Sequence, residues 1–425
     1  MATSTLFVVF LALLIVGMPV AFGLAIASLS AIFITEVVPF SYVSRTLFTS
    51  LDSYPLLAVP LFVLAGSIME FGGLSRRLIE VARAFVGHLT GGLGVVGLGG
   101  TAIFAMLSGS GPATVAAIGG IMIPAMIRDG YSRGYSAALM ACAGGCGIVL
   151  PPSIPLIIYG ITTNTSIGDL FIAGLVPGIL VIAILFFANR ISCKNNQEIV
   201  KAEAATWSER LTAINNAKWT LLMPVIVLGG IYGGVFTPTE AAGVAVAYSL
   251  VLAIAYKEME VSQIPGVLHA TMLMSGMILI IIATASTYSR ILTLERIPNQ
   301  IIEFLTTLSL PFWSILVIIL IFLLFVGMFM ETIAGIILLA PILVPVVGTF
   351  GMDPVHFGIV LIMASMIGFS TPPVGDNLNV ASALANISIE KVSVSALPMV
   401  AALITVLFIV AFIPEVSLFL VDLLR

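Results

Sequence analysis

Two Pro-Pro pairs constrain this chain more than any other feature. Gly147-Ile-Val-Leu-Pro151-Pro152-Ser153-Ile-Pro155 lies in one long apolar run, and Gly368-Phe-Ser-Thr-Pro372-Pro373-Val-Gly375-Asp376 lies in another. Proline has no N–H to give the carbonyl four residues back, so a helix cannot run normally through either pair. The carbonyls released are those of Gly147 and Ile148 in the first run, and of Gly368 and Phe369 in the second. In hydrocarbon each costs several kcal/mol unless protein, water or a cation satisfies it. The pairs are 221 residues apart (372 minus 151), and the same offset relates Pro124 to Pro345, Gly130 to Gly351 and Ala143 to Ala364. The chain reads as an internal duplication. Two broken helices in corresponding halves of a membrane protein point to a site for substrate and coupling ion near the midplane. The competing reading is a pair of kinks repaired by neighbouring Ser or Thr.

Composition places these runs in a bilayer. The chain is 60% hydrophobic and 8% charged with a mean hydropathy of +1.22, far from the roughly 25% charged usage of soluble domains. A net charge of -4, thinly spread, argues against a nucleic-acid partner. Cys142, Cys146 and Cys193 are too few and scattered for a disulfide framework or zinc site. No basic region precedes the first apolar run, which therefore reads as a span and not a cleaved signal.

In order, residues 5–16 and 19–36 form two apolar helices split at Gly17-Met18-Pro19, matched in the second half by 217–233 and 238–256. A third span at 54–72 is matched by 270–290. The segment after it, 73–85, puts Arg76, Arg77, Glu80 and Arg83 on one face, as an interfacial helix does; its counterpart is 296–308. Residues 91–127, interrupted by Ser108-Gly-Ser110-Gly111-Pro112-Ala-Thr114, and 311–348, interrupted by Gly327-Met-Phe-Met-Glu331-Thr332, read as re-entrant hairpins. Irregular backbone at that depth requires protein or water around it. The alternative for each run is one long tilted span. The broken helices occupy 135–163 and 356–386, and closing spans 168–190 and 395–420 follow.

These assignments make an all-α polytopic membrane protein of two inverted repeats, 1–190 and 217–425, joined by a cytoplasmic linker at 191–216. Each repeat crosses five times, and an odd count inverts the second. The basic residues test the count. Twelve of the 16 fall on the side of the linker, among them Arg76, Arg77, Arg128, Lys194 and Lys201, against four, Arg45, Arg290, Arg296 and Arg425, on the other. Positive residues favour the cytoplasm, so both termini face outward.

Several motifs fail on context. Gly92-Leu-Gly94-Val-Val-Gly97 fits a dinucleotide pattern but follows no soluble strand, and no Gly-Lys-Ser/Thr occurs, so there is no Walker loop. Ser108 and Ser110 have no histidine nearby, since His88, His269 and His356 fall at expected membrane surfaces, which leaves a serine hydrolase without its base. What remains suits an anion and a cation together. Half-helices starting at the breaks turn N–H groups and partial positive charge inward, and half-helix ends present carbonyls. Ser108, Ser110, Ser153, Thr332 and Thr371 add hydroxyls to either set, against ordinary packing or back-bonding to a carbonyl. Glu331 is a rare acid in an apolar run, where a charge costs at least ~2.5–3.5 kcal/mol unless it meets a cavity or partner. It reads either as a cap at a hairpin tip or as a grip on substrate hydroxyl or amide groups.

Ser108-Gly-Ser-Gly, Leu150-Pro-Pro-Ser153-Ile-Pro, Phe236-Thr-Pro-Thr-Glu-Ala, Gly327-Met-Phe-Met-Glu331 and Thr371-Pro-Pro-Val-Gly together resemble the large membrane subunit of TRAP transporters, the tripartite ATP-independent periplasmic carriers, over essentially the whole chain. The resemblance implies an elevator-type, Na⁺-coupled importer of organic acids such as sialic acid, other sugar acids or C4-dicarboxylates. It sits in the bacterial inner membrane among lipid, needs no organic cofactor and is not an enzyme. Its implied partners are a small membrane subunit, for which these termini carry no extra four-helix segment, and a periplasmic substrate-binding protein. By position, the resemblance implies one sodium site at Ser108 with backbone around Gly147, Leu150 and Pro152, and a second at Gly327, Thr332, Gly368 and Thr371. It implies substrate contacts at Ser110, Ser153 and Glu331. Asp376 departs from the apolar residue that the family usually carries there. A non-transporting scaffold or channel component is the rival class, but a scaffold needs no paired polar breaks and a channel no inverted duplication.

The charge split carries a prediction. With Cys142, Cys146 and Cys193 replaced, a cysteine introduced at Asn196 resists an impermeant thiol reagent in intact cells and one at Asp353 reacts; the reverse pattern contradicts the orientation.

Overall fold

The computed structural model describes residues 2–35, 38–194, 203–308, 310–372 and 375–424; the described residues form helices and no strand. Asn196, Lys201, Pro373 and Arg425 lie outside them, as does most of the expected linker. The first half contains α1 (Ala2–Ile15), α2 (Val20–Thr35), α3 (Phe40–Leu51), α4 (Ala58–Phe71), α5 (Leu74–Val86), α6 (Gly92–Ser108), α7 (Gly111–Thr114), α8 (Gly120–Arg128), α9 (Arg133–Gly144), α10 (Cys146–Val149), α11 (Ile154–Thr163) and α12 (Ile167–Cys193). The second contains α13 (Trp207–Tyr232), α14 (Pro238–Ala255), α15 (Ile264–Leu294), α16 (Ile297–Thr307), α17 (Phe312–Gly327), α18 (Thr332–Thr349), α19 (Pro354–Phe369), α20 (Asp376–Ala385), α21 (Ile389–Phe412) and α22 (Glu415–Leu424).

Local chemistry sets the ends of these helices. Thr237 and Glu240 form a reciprocal capping box at the start of α14, with Pro238 at its first position, where a missing N–H costs nothing. Thr206 and Glu209 start α13 the same way. The short helices α11 and α20 both end on an asparagine in the left-handed region, Asn164 at φ 54° and Asn386 at φ 52°.

Packing shows the duplication directly. α4 packs on α14 while α2 packs on α15, so the second and third spans of each half exchange partners. α9 on α21 matches α12 on α19, and α11 on α18 matches α20 on α8. This crosswise pairing is what two copies related by a pseudo-two-fold axis produce. The interior is built from α9 to α11 and α19, where nearly every side chain is buried. Outward-facing apolar groups such as Phe33, Val251, Met272 and Phe325 are exposed as lipid contacts are. Among the described residues eight helices are long and apolar enough to cross a membrane, or nine if the bent α9–α11 pair counts as one span. α1, α2 and α19 have 14, 16 and 16 residues, short of the roughly 20 a level bilayer requires.

Both interrupted runs fold back on themselves. Gly97 faces Met122 and Gly100 faces Ile118, a nested pairing about the tip that only a hairpin gives. At the open end of the second hairpin Phe312 stacks on Phe350 with ring centroids 5.7 Å apart. The single tilted span considered for these runs is thereby excluded. The returning limb of the first hairpin carries a π-helical turn at 115–119. The first broken helix bends by 41° between α9–α10 and α11.

Each break is pressed against a hairpin tip through glycine. A Cβ on Gly147 would lie 2.5 Å from the Ser110 carbonyl oxygen and 2.7 Å from Thr114 Oγ1. Gly368, its equivalent at the 221-residue offset, has the backbone of Gly327 in the same place, closer still. Neither position has room for a side chain.

Several boundaries differ from expectation. The amphipathic α3 was not expected, because its Phe40-Ser-Tyr-Val-Ser-Arg45 start mixes polar and apolar residues without a long run. The last span does not continue to 420: α21 stops at Phe412 and α22 restarts at Glu415, because Pro414 cannot donate into a continuing helix. α13 begins ten residues before the expected 217, at Trp207, because its capping box starts the helix in polar sequence (217 minus 207). His356 is not at a surface but 1% exposed, with Nδ1 2.6 Å from Ser417 Oγ.

The glycine contacts predict that Gly147→Ala and Gly368→Ala each destabilise the protein by ~1–3 kcal/mol through overpacking, while Gly276→Ala in α15, which meets nothing within 4 Å, does not. Thermal unfolding in detergent checks this, and equal melting of all three variants contradicts it.

Candidate functional site: a cavity where four helix starts meet

The tip of the first hairpin is knitted to the first break. The Ile154 N–H donates to the Gly109 carbonyl across 3.3 Å, and Gly109 itself is left-handed at φ 60°, a conformation glycine adopts without strain. Within the tip, Thr114 Oγ1 donates to the Ser110 carbonyl at 2.7 Å, which leaves Ser108 Oγ as donor in its 2.7 Å contact with Thr114. Ser153 works in both directions: its hydroxyl donates to the Ile148 carbonyl at 2.6 Å and accepts from the Leu156 N–H at 3.4 Å. One of the carbonyls released by Pro151-Pro152 is thus repaired by a neighbouring serine. In the second half the Gly368 carbonyl is taken by the Thr371 N–H at 2.9 Å. The kink-repair reading therefore accounts for Ile148 and Gly368.

Between these elements lies a cavity of about 160 Å³. Gly109, Ser110 and Gly111 line it from the start of the returning limb, Ile154 and Pro155 from the start of α11, Glu331 and Thr332 from the start of α18, and Asp376 from the start of α20. Met274 and Ile278 of α15 complete the wall. Four helix N-termini, with their partial positive charge, border one space. Ser110 and Ser153 occupy the N-cap positions of two. Glu331 caps the third, accepting from the Ala334 N–H at 3.0 Å, and Asp376 lies in the first turn of the fourth. Two of the four starts are therefore matched by the protein's own carboxylates, and two are left with neutral hydroxyls.

The expected site residues are distributed as follows. Ser110, Glu331 and Thr332 line the cavity; Ser153 is fully buried directly behind it. Ser108 and Gly147 meet around the Ser110 carbonyl and the Pro152 carbonyl lies against Gly109, whereas the Leu150 side chain turns away to pack on Gly178. Gly327 and Gly368 touch. Thr332 is 2% exposed and its Oγ1 has no hydrogen-bond partner among the described residues, unlike Thr371, whose Oγ1 donates to the Ile367 carbonyl at 2.6 Å. Thr371 does not reach the cavity wall.

Two polar residues escaped the sequence reading. Thr114 ties the first tip together, and its position four after Ser110, one helical turn on, was the available signal. Asn377 is fully buried, donates to the Ala141 carbonyl at 3.2 Å and keeps its Oδ1 unpaired beside Gly111. Nothing local in the sequence announces that α15 contributes Met274 and Ile278.

The family model described as "Tripartite ATP-independent periplasmic transporter, DctM component" matches residues 7–416. The chain is 43% identical over 373 residues to a C4-dicarboxylate TRAP transporter large permease protein DctM of Pseudomonas aeruginosa, covering 88% of this chain and 87% of that one. It is 36% identical to the protein of the same description from Rhodobacter capsulatus over 100% of both chains. It is 42% identical to an isethionate TRAP transporter permease protein DctMQ of Oleidesulfovibrio alaskensis over 97% of this chain, and spans 65% of that protein's length. Among solved structures, the YdaH transporter of Alcanivorax borkumensis superposes with a TM-score of 0.63 at 15% identity over 88% of each chain, a likeness of fold alone. The chain belongs to the DctM family, the large permease component of tripartite ATP-independent periplasmic transporters.

Proposed function

We propose that this permease imports an organic acid coupled to Na⁺, working with a small membrane subunit and a periplasmic binding protein that delivers the substrate. The observation that carries the reading is the division of the four helix starts. Two ends without a carboxylate of their own, at Ser110 and Ser153, favour an incoming acid group, since a helix N-terminus stabilises negative charge. Glu331 and Asp376 face the other part of the same cavity and suit hydrogen-bond donors on the substrate, hydroxyl or amine, and not a second acid. Relatives described as permeases for C4-dicarboxylates, sialic acid and 2,3-diketo-L-gulonate transport acids of this general kind. An acid with hydroxyl groups at its far end fits the division better than a symmetric dicarboxylate.

Sodium fits the two interlocks, where hydroxyls and carbonyls crowd together without carboxylates: Ser108 with the backbone at Gly147, Leu150 and Pro152, and Thr332 and Thr371 with Gly327 and Gly368. The unpaired Thr332 hydroxyl favours a ligand at the second. The hairpins and broken helices move as one unit against the outer helices, because each tip is pressed to its break by close backbone contact.

Uptake into proteoliposomes holding the complete complex therefore requires a sodium gradient and rises more steeply than first order in sodium. Ser108→Ala raises the sodium concentration for half-maximal uptake about five- to tenfold, the loss of ~1–1.4 kcal/mol of interaction, without a matching loss of protein. Uptake driven equally well by protons in the absence of sodium contradicts the proposal.

A further inference from the structure

A second space lies directly in line with the first. It is a polar cleft of about 380 Å³ bounded by α3, α15 and the far parts of α11 and α18. Three helices run from one space to the other. Ile154 of α11, Ile278 of α15 and Ile333 of α18 line the inner cavity; Ile158, Ile282 and Ile337, each four residues further along the same helix, line the cleft. All six isoleucines are at most 8% exposed. Four residues rise ~6 Å along a helix, so a plug of six isoleucine side chains about that thick separates the two spaces.

The cleft is unlike the plug and unlike the inner cavity. Ser50, Ser53, Ser286, Ser289 and Thr293 supply hydroxyls, and Arg290 supplies the one formal charge in the lining. Among the described residues no Asp or Glu lines it; Asp52 and Glu295 are neighbours in sequence outside the wall. Arg290 is exposed and makes no ion pair among the described residues. α11 and α15 end close by, and helix C-termini favour cations, so whatever draws an anion here is the guanidinium alone. The Ser50 and Thr293 hydroxyls donate to their own helix carbonyls at 3.0 Å. That leaves the guanidinium with the hydroxyls of Ser53, Ser286 and Ser289 in the same lining, a receptor for a carboxylate bearing further polar groups.

We infer that this cleft is a second, outer binding site in which Arg290 receives a small carboxylate before it reaches the inner cavity, with the six isoleucines as the closed barrier between the two sites. Its walls come both from α3 and α15 and from the hairpin and broken-helix unit, so movement of that unit past α15 would carry Ile158 and Ile337 off Ile282. The site shares no residue with the inner cavity. A failure here therefore leaves the assignment of that cavity standing.

The test uses the full chain in phosphatidylcholine nanodiscs, with Cys142, Cys146 and Cys193 replaced and Ser286→Cys, one turn from Arg290, as reporter. Rates of modification by an anionic and a cationic methanethiosulfonate of equal size are compared as a ratio. Arg290→Gln lowers the anion-to-cation ratio about three- to tenfold, the effect of one unit charge roughly 6 Å away in a wet cleft, and Arg290→Lys restores most of it. Succinate and glucuronate slow the modification when position 290 is Arg or Lys but not when it is Gln, and glucose has no effect. The inference is overturned by a ratio indifferent to Arg290→Gln in a variant that melts normally, or by protection from glucose equal to that from the acids. Protection that appears only on adding phosphatidylglycerol also overturns it, by assigning the site to a lipid headgroup.

Discussion

Everything at the centre of this permease depends on backbone being allowed to break inside a membrane. Hydrocarbon offers no donor for a released carbonyl, so each Pro-Pro break survives only because another piece of protein is pushed onto it. The hairpin tips supply that piece, and glycine sets how close they come: Gly147 admits the Ser110 carbonyl and Gly368 admits the Gly327 backbone. Hydrogen bonds then close what that contact leaves open, the Ser153 hydroxyl on the Ile148 carbonyl and the Thr371 backbone N–H on the Gly368 carbonyl. The tip and the break are in close backbone contact in both halves.

Breaking four helices at one level has an electrostatic result. Each start brings first-turn N–H groups, some of them taken by a cap, to the wall of the same cavity. Left with neutral caps, all four would give the space an excess of positive potential; Glu331 and Asp376 place carboxyl groups at two of them, which on the proposed reading gives the cavity an acid-accepting end and a donor-accepting end. Asp376 borders the cavity from the first turn of α20, and Glu331 from the N-cap of α18.

The architecture was legible in the sequence to the extent that it is periodic or duplicated. The 221-residue offset located both breaks and both hairpins, because proline and glycine act through the backbone and leave their mark wherever the fold needs an interruption. The π-helical turn at 115–119 and the separation of α22 were not legible: the first arises from packing within the hairpin, and Pro414 alone does not distinguish a kink from an end. At the site, residues that change the backbone or carry charge stood out, among them Ser153 and Glu331. Asn377, beside Gly111, and Met274 and Ile278, in the cavity wall, did not, since only contacts distant in sequence bring them there. The six isoleucines were equally hidden, because an i, i+4 pair of isoleucines is unremarked in any apolar helix.

The central claim is that a substrate carboxylate completes the helix starts that the protein leaves uncharged. Sodium-driven uptake by the reconstituted complex carrying Ser110→Asp, beside Ser110→Asn, measures this most directly. A carboxylate built into that position takes the place of the substrate's and repels it. Like-charge juxtaposition costs several kcal/mol and each ~1.4 kcal/mol is tenfold, so Ser110→Asp loses uptake by more than about tenfold while Ser110→Asn, of similar size and neutral, retains most of it. Equal uptake by the two variants, with both complexes intact, would contradict the account.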